Sequence, residues 1–392
     1  MKRVLLAWEA GAGRGHVVTL ARVARALRGI AECDAALGWT AHAAEIAPWC
    51  DRVFPGVALP LDRDARTARG APPNATWADY LYDCRFHDGA MLRANVCWWL
   101  DTLARRDIAL VVGDYAPCAL MAARIAGIPA LAIGTGYGIP PAELEAFPVF
   151  LPEHARREAD EAALAATVNA ALAPLGFAPI DRLPQIYRRS GDLVRTLPML
   201  DPYAAARAGD AYLPPVADYA AIGDGSGDEL FCYFSTREFD NEGLVEALAT
   251  CGLPLRCFLP AAASRARTAG GAAGAIVEDR PVPVVEIARR SRMVFGSGQH
   301  GILCLALGAG LPQLCLPQHL EQLYHARRAQ NAGVASVIAS RNAPAAAIRE
   351  AILSLWHDQA TASRARALAQ DLAPRFVTDD AALLRARLAP WL

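Results

Sequence analysis

Short apolar runs alternate with helix-period stripes along this chain. Val4–Trp8 has the length of a buried strand, and the glycine loop Gly11-Ala12-Gly13-Arg14-Gly15 follows it. The spacing of Val17, Leu20, Val23, Ala24 and Leu27 predicts a helix over His16–Leu27, ended by Gly29. Ile108–Val112 is a second strand-like run and leads into Gly113-Asp114. A helix-forming stretch over Cys118–Ala126 and a strand over Ile128–Ile133 come next. Pro152–Ala173, rich in Ala, Glu and Arg, predicts one long helix. A second series begins at Leu230–Phe234. It continues through helix Gly243–Thr250, strands Leu255–Leu259 and Arg292–Phe295, helix Ile302–Leu307, strand Gln313–Leu316 and a mostly helical Ala345–Leu392. Strands alternating with helices predict parallel sheets of the α/β class. Pro, Gly and Asp collect between the two series. Residues 1–212 therefore read as an N-terminal domain, 213–228 as a linker and 229–375 as a C-terminal domain, with 376–392 a helix crossing back to the first.

The chain has 392 residues, 54% of them hydrophobic and 20% charged, which is a globular composition of two-domain length. A net charge of -1 argues against nucleic acid as a partner, since phosphate neutralisation needs a basic surplus. No apolar run approaches the roughly 18 residues of a membrane span. The opening residues reach Glu9 and a glycine loop too soon for a signal peptide, so they read as a first strand, and a cytoplasmic location is expected. The ten cysteines are scattered without a CxxC pair; buried reduced thiols are expected and no metal cluster shows. The Asn74-Ala75-Thr76 sequon reads as chance.

Candidate chemistry sits at two glycine turns. Gly11-x-Gly13-x-Gly15-His16 lies between a strand and a helix, where exposed amides attract polar ligands. A dinucleotide fingerprint would place its third glycine where His16 stands, with Asp34 at the spacing of a ribose carboxylate, so a nicotinamide oxidoreductase is one reading. His16 at a first helical turn suits a general base, and the alternative of a simple packing role weighs equally on local grounds. Asp114 at the end of the next apolar run tips this balance. A carboxylate that holds one imidazole nitrogen orients the other to take a proton, and two strand-end polar residues fit a dyad better than an accident plus a helix cap. The second turn, Gly296-Ser297-Gly298-Gln299-His300-Gly301, again joins a strand to a helix and suits a diphosphate. Glu321-Gln322 after Gln313–Leu316 offers a carboxylate and an amide for sugar hydroxyls, although taken alone the pair reads as a solvated helix start.

Gly298, Ala306-Leu307, Gly310-Leu311-Pro312, Pro317, Glu321-Gln322, Ala326 and Gly333, together with Gly15-His16, Asp114 and Gly127-Ile128-Pro129, resemble the GT-B glycosyltransferases. The likeness is to family one and to the GlcNAc transferase of peptidoglycan synthesis, and it spans nearly the whole chain. It implies two Rossmann-like parallel-sheet domains facing across a cleft. It further implies a metal-independent, inverting transfer from a nucleotide-diphosphate sugar, UDP-linked or dTDP-linked, to a small-molecule or lipid acceptor. The nucleotide sugar would be co-substrate, with no separate cofactor. By the same likeness His16 is the base and Asp114 its partner. Ser235 (with Thr236), Ser297, Gly298, Gln299, His300, Gly301, Glu321 and Gln322 fall on the donor side, and Gly13, Gly15 and Tyr137 on the acceptor side. The chain departs from the pattern at Ser297 (usually His), Leu305 (usually the ribose-binding Glu), Gln299 (usually Gly) and His325 (usually Asn). Val17-Val18-Thr19 lacks the usual proline, and His300 is a candidate replacement for the phosphate-binding histidine. Those departures motivate two further readings on this scaffold, a non-catalytic nucleotide-sugar-binding protein and a nucleotide-sugar epimerase. Trp77, Tyr80, Tyr82, Phe86, Trp98 and Trp99 read either as acceptor-lining aromatics or, more commonly for such residues, as core.

Overall fold

The computed structural model describes residues 1–11, 13–60, 74–208, 212–215, 222–235, 238–259, 268, 271, 274–376 and 379–392. The chain forms two compact units: Met1–Leu213 with Asp379–Leu392, and Pro214–Thr378.

The first unit is built on a parallel sheet. β1 (Arg3–Trp8) is buried from its second residue onward, because helices cover both faces and nearly every position must be apolar. α1 (Arg14–Leu27) begins two residues earlier than the periodicity suggests, and Gly13 is its N-cap. β2 (Glu32–Leu37), α2 (Ala43–Ile46), β3 (Arg52–Pro55), α3 (Trp77–Asp83) and α4 (Gly89–Arg105) follow. Next come β4 (Ile108–Asp114), α5 (Pro117–Ile125), β5 (Ala130–Gly134), α6 (Glu161–Leu172), β6 (Gly191–Arg195) and the short β7 (Tyr212–Leu213). Among the described residues the strand order is β3-β2-β1-β4-β5-β6-β7, with Trp8 of β1 in register with Asp114 of β4.

The helix expected over Pro152–Ala173 is not continuous. Pro152–His154 is a single 3-10 turn, and the α-helix starts only at Glu161. Two carboxylates end the helical path between them. Asp160 caps α6 by accepting from the amides of Ala162 and Ala163. Buried Asp79 takes the amides of Glu158 and Ala159 at 2.8 and 2.9 Å, so those N–H groups point away from any helical partner.

The second unit repeats the plan with β8 (Glu229–Tyr233), α7 (Glu242–Thr250), β9 (Leu255–Phe258), β10 (Ile276–Glu278) and α8 (Val284–Arg290). β11 (Ser291–Gly296), α9 (His300–Ala309), β12 (Gln313–Cys315), α10 (Leu320–Asn331), β13 (Ala335–Val337), α11 (Ala345–His357) and α12 (Gln359–Leu372) complete it. Its described strands run β10-β9-β8-β11-β12-β13, all parallel. Alternate residues of β8 serve opposite faces: Leu230 and Cys232 join a core with Leu248 and Ile352, while Phe231 packs with Ile302 and Ala306.

α13 (Asp380–Leu388) belongs to the first unit. Asp380 accepts from Arg22 of α1 at 2.9 Å and from Arg195 of β6, and the Lys2 ammonium reaches the Trp391 carbonyl. The boundary between Leu213 and Pro214 falls inside the Pro/Gly-rich stretch, of which 216–221 lie outside the described residues. All ten cysteines are free thiols, and all but Cys50 and Cys97 are buried. No helix among the described residues is long and apolar enough to cross a membrane. No group of three or more His, Cys, Asp or Glu able to hold a metal occurs among them.

Candidate functional site

Among the described strands of each sheet the chain reverses its direction of strand addition once, and the candidate residues stand at that point. In the first unit the reversal lies between β1 and β4; in the second it lies between β8 and β11. Open parallel sheets leave a crevice there, because the two connections run off to opposite sides.

Where β1 ends, Trp8 donates from Nε1 to the Ala10 carbonyl, and the Ala10 amide donates to the Tyr115 carbonyl at 3.1 Å. The glycine loop and the end of β4 are thereby tied together. His16, in the first turn of α1, turns its Nδ1 to Asp114 Oδ2 at 3.2 Å. Its ring stacks on Trp8, with centroids 5.0 Å apart and planes at 22°, and meets the edge of Tyr115 at 5.0 Å. Tyr115 itself has φ +48°, a left-handed conformation costly for a bulky residue and typical of constrained sites. With the Nδ1 proton given to the carboxylate, the lone pair is on Nε2. That nitrogen looks toward Gly11, where φ is +84° and a Cβ would lie only 2.8 Å away, so a side chain at residue 11 would cover it. The Asp114 side chain is almost fully buried, whereas His16 keeps 17% of its side-chain surface. The carboxylate is thus shielded from water while the imidazole reaches it.

Glu9, a residue the sequence reading did not single out, braces this arrangement from below. It is fully buried and accepts the amides of Cys118 and Ala119 at 2.9 and 2.6 Å, capping α5. Desolvation raises its carboxyl from 4.5 to about 8, and the two amides pull the other way. A charged residue closing an apolar run was the available signal for it.

Other expected residues of this unit have different surroundings. Gly13 and Gly15 are exposed at the start of α1. Tyr137 is buried, stacked on Phe150 at 4.4 Å, and belongs to the core. Asp34 is not at the carboxyl end of β2 but in its middle, paired with Arg106 at 3.1 Å; it cannot reach a ribose at the crevice, which removes the dinucleotide fingerprint. Trp77, Phe86 and Trp99 are buried, while Tyr82 and Trp98 are partly exposed.

In the second unit the loops after β8 and β11 leave from neighbouring strands, with Gly296 in register with Tyr233. Gln299 is the N-cap residue of α9. Its Oε1 accepts the Ser297 amide at 3.0 Å, and its Nε2 donates to Ser235 Oγ and Glu238 Oε1, both at 3.2 Å. Ser297, fully buried, donates its hydroxyl to the same Glu238 oxygen. Thr236 lies outside the described residues. Gly298 has φ +83°, and a Cβ there would sit 2.6 Å from the Gln322 carbonyl oxygen, so only glycine lets this turn close on α10. Gly301 is exposed.

His300 opens α9 with its ring against Cys304 Sγ at 3.5 Å and 5.2 Å from the ring of His325. His325 is fully buried. Desolvation, then the neighbouring His300 and His319, hold its pKa well below the ordinary value and keep it uncharged. Glu321 and Gln322 are in the first turn of α10, the helix-start placement. Gln322 is buried and turns its Oε1 to the Gln318 amide, whereas Glu321 is half-exposed. Leu305, where a ribose carboxylate was the pattern, packs on the Phe231 cluster.

Neither a protein family nor a curated protein matches the chain by sequence. Solved structures do match it from end to end. CalG4, the calicheamicin glycosyltransferase, superposes with a TM-score of 0.70 at 17% identity, over 100% of this chain and 98% of that one. The fold is GT-B. Glycosyltransferase VinC, in complex with dTDP, matches with a TM-score of 0.64 at 16% identity over 99% of both chains. Spinosyn rhamnosyltransferase SpnG, complexed with spinosyn aglycone, reaches 0.63 at 15% identity over 97% of this chain and 99% of that one. The GT-B expectation from sequence thus holds in both units. Two of these structures carry the names of calicheamicin and spinosyn, and the likeness to the GlcNAc transferase of peptidoglycan synthesis finds no support among the three.

Proposed function

We propose that this protein transfers a sugar from a nucleotide-diphosphate donor to a hydroxyl of a small-molecule aglycone, inverting the anomeric centre. The observation that carries the reading is the Asp114–His16 pair at 3.2 Å, seated at the β1/β4 crevice with its ring held by Trp8. In this reading His16 Nε2 accepts the acceptor's hydroxyl proton. The hydroxyl oxygen attacks the anomeric carbon, the bond from that carbon to the phosphate oxygen breaks, and the nucleoside diphosphate departs with the electron pair. Asp114 holds the imidazole in the required tautomer and stabilises the imidazolium that forms. The second unit would take the donor at the β8/β11 crevice. There the amides opening α9 at His300 and Gly301 meet the charge that grows on the leaving diphosphate, and Glu321 with Gln322 orients the sugar. No metal or further cofactor enters the scheme. VinC and SpnG, solved with dTDP and with an aglycone, support a dTDP-linked donor ahead of UDP and an aglycone ahead of a lipid.

The test is release of dTDP or UDP from a panel of activated sugars in the presence of aglycones, with the product's anomeric configuration read by NMR. His16→Ala should lose about 10²–10⁴ in kcat. Unchanged turnover in that variant removes the base assignment. The commitment of Ser297 and Gln299 to Glu238 favours one alternative, a sensor that binds nucleotide sugar without turning it over; donor binding with no product for any acceptor would decide for it.

A further inference from the structure

A cavity of about 380 Å³ opens at the amino end of the first sheet, whereas His16 and Asp114 stand at the carboxyl ends of its strands. That volume suits a small molecule. Four guanidiniums line it: Arg3 opens β1, Arg52 opens β3, and Arg105 and Arg106 end α4. Three of them are engaged. Arg3 donates to Glu32, and Arg106 donates to Asp34 at 3.1 Å while lying 3.9 Å over the Phe54 ring. Arg105 gives its Nε to Asp101 at 2.6 Å. Arg52 differs. It stands in register with Asp34, yet that carboxylate is turned to Arg106, and no acceptor among the described residues takes an Arg52 N–H. Its five donors, set in a planar fork, are uncommitted at the cavity. The helix side supplies a ring. Trp98 keeps 37% of its surface exposed, although Val96, Trp99 and Leu103 of the same helix are buried. The Trp99 ring backs it at 4.8 Å and 87°. Trp98, Asp101, Thr102 and Arg105 share one face of α4, and all four line the cavity.

We propose that this cavity binds an aromatic carboxylate, with the carboxylate in the Arg52 fork and the ring on Trp98. A guanidinium and a carboxylate match in a pair of parallel N–H···O bonds, and a flat ring gains by packing on an indole. Asp34, across the strand pair from Arg52, and Asp101, beside Arg105, disfavour a second negative charge, so a monoanion fits better than a phosphate dianion. The site is independent of the transferase reading, since none of its residues belongs to either crevice.

The experiment is calorimetric titration of full-length wild type, Arg52→Gln and Trp98→Ala with benzoate, benzyl alcohol, acetate and phenyl phosphate. Circular dichroism confirms that each variant is folded, and both substituted side chains are exposed, so the core is untouched. Wild type should bind benzoate at least about tenfold more tightly than benzyl alcohol, which keeps the ring and loses the charge. Acetate, which keeps the charge and loses the ring, should also bind more weakly. Arg52→Gln should weaken benzoate about tenfold or more, and Trp98→Ala about two- to tenfold. A wild type that gives no binding heat at millimolar benzoate overturns the site. So do folded variants that both bind benzoate as wild type does. Phenyl phosphate binding more tightly than benzoate overturns the choice of a carboxylate.

Discussion

Raising the pH should destabilise the first unit through Glu9, and replacing Glu9 by Gln should remove that dependence. Burial lifts this carboxyl from 4.5 to about 8 in the folded protein. The folded state thus holds the proton more tightly than the unfolded chain does. The resulting stabilisation is fully present below the unfolded pKa and is lost as the pH rises through about 8. A displacement of that size corresponds to about 5 kcal/mol between the two limits, and complete burial leaves no solvent screening to discount. Gln copies the shape and neutrality of the protonated form and cannot ionise. The assay is urea unfolding followed by circular dichroism, on wild type and Glu9→Gln, near pH 5, 7 and 9. Taking the difference between the two proteins cancels the titrating groups that do not feel Glu9; Cys118 does feel it, but burial, the larger cause, pushes its thiol up in both proteins. Wild type should lose several kcal/mol relative to Glu9→Gln across that range. A difference that stays constant with pH would refute the reasoning, since it would mean that Glu9 keeps one protonation state throughout.

Gly11→Ala places a methyl group 2.8 Å from His16 Nε2 on a backbone at φ +84°; kcat should fall at least about 100-fold in a protein that still gives a folded circular dichroism spectrum. Asp380→Ala leaves the Arg22 and Arg195 guanidiniums, both largely buried, without their shared carboxylate; the loss, read from urea midpoints, should be about 3–5 kcal/mol.

Much of the architecture was legible because buried parallel strands are short apolar runs, and β1, β4, β8, β11 and β12 each stand out as one. β2 escaped notice because Glu32 and Asp34 interrupt it; their charges are met by Arg3 and Arg106, partners 29 and 72 residues away. The long helix over Pro152–Ala173 was misread for a similar reason, since nothing in its composition announces the pull of Asp79. His16 and Asp114 could be paired in advance because each sits beside an apolar run in its own half-sheet. The Trp8 stack and the left-handed Tyr115 could not, since they depend on how the loops close. Glu238 is the extreme case: an acidic residue in a loop, given meaning only by Ser297, 59 residues further on.

The helix ending the chain has a topological consequence. α13 is bound into the first unit by Asp380, yet the whole second unit lies between it and β7. A fragment stopped at Leu213 would lack that helix and leave the Arg22 and Arg195 side chains bereft of their carboxylate, while a fragment spanning Pro214–Thr378 would be whole. Limited proteolysis at a single point can therefore never liberate the N-terminal half intact. Expressing that half alone calls for grafting residues 379–392 back on through a loop of its own.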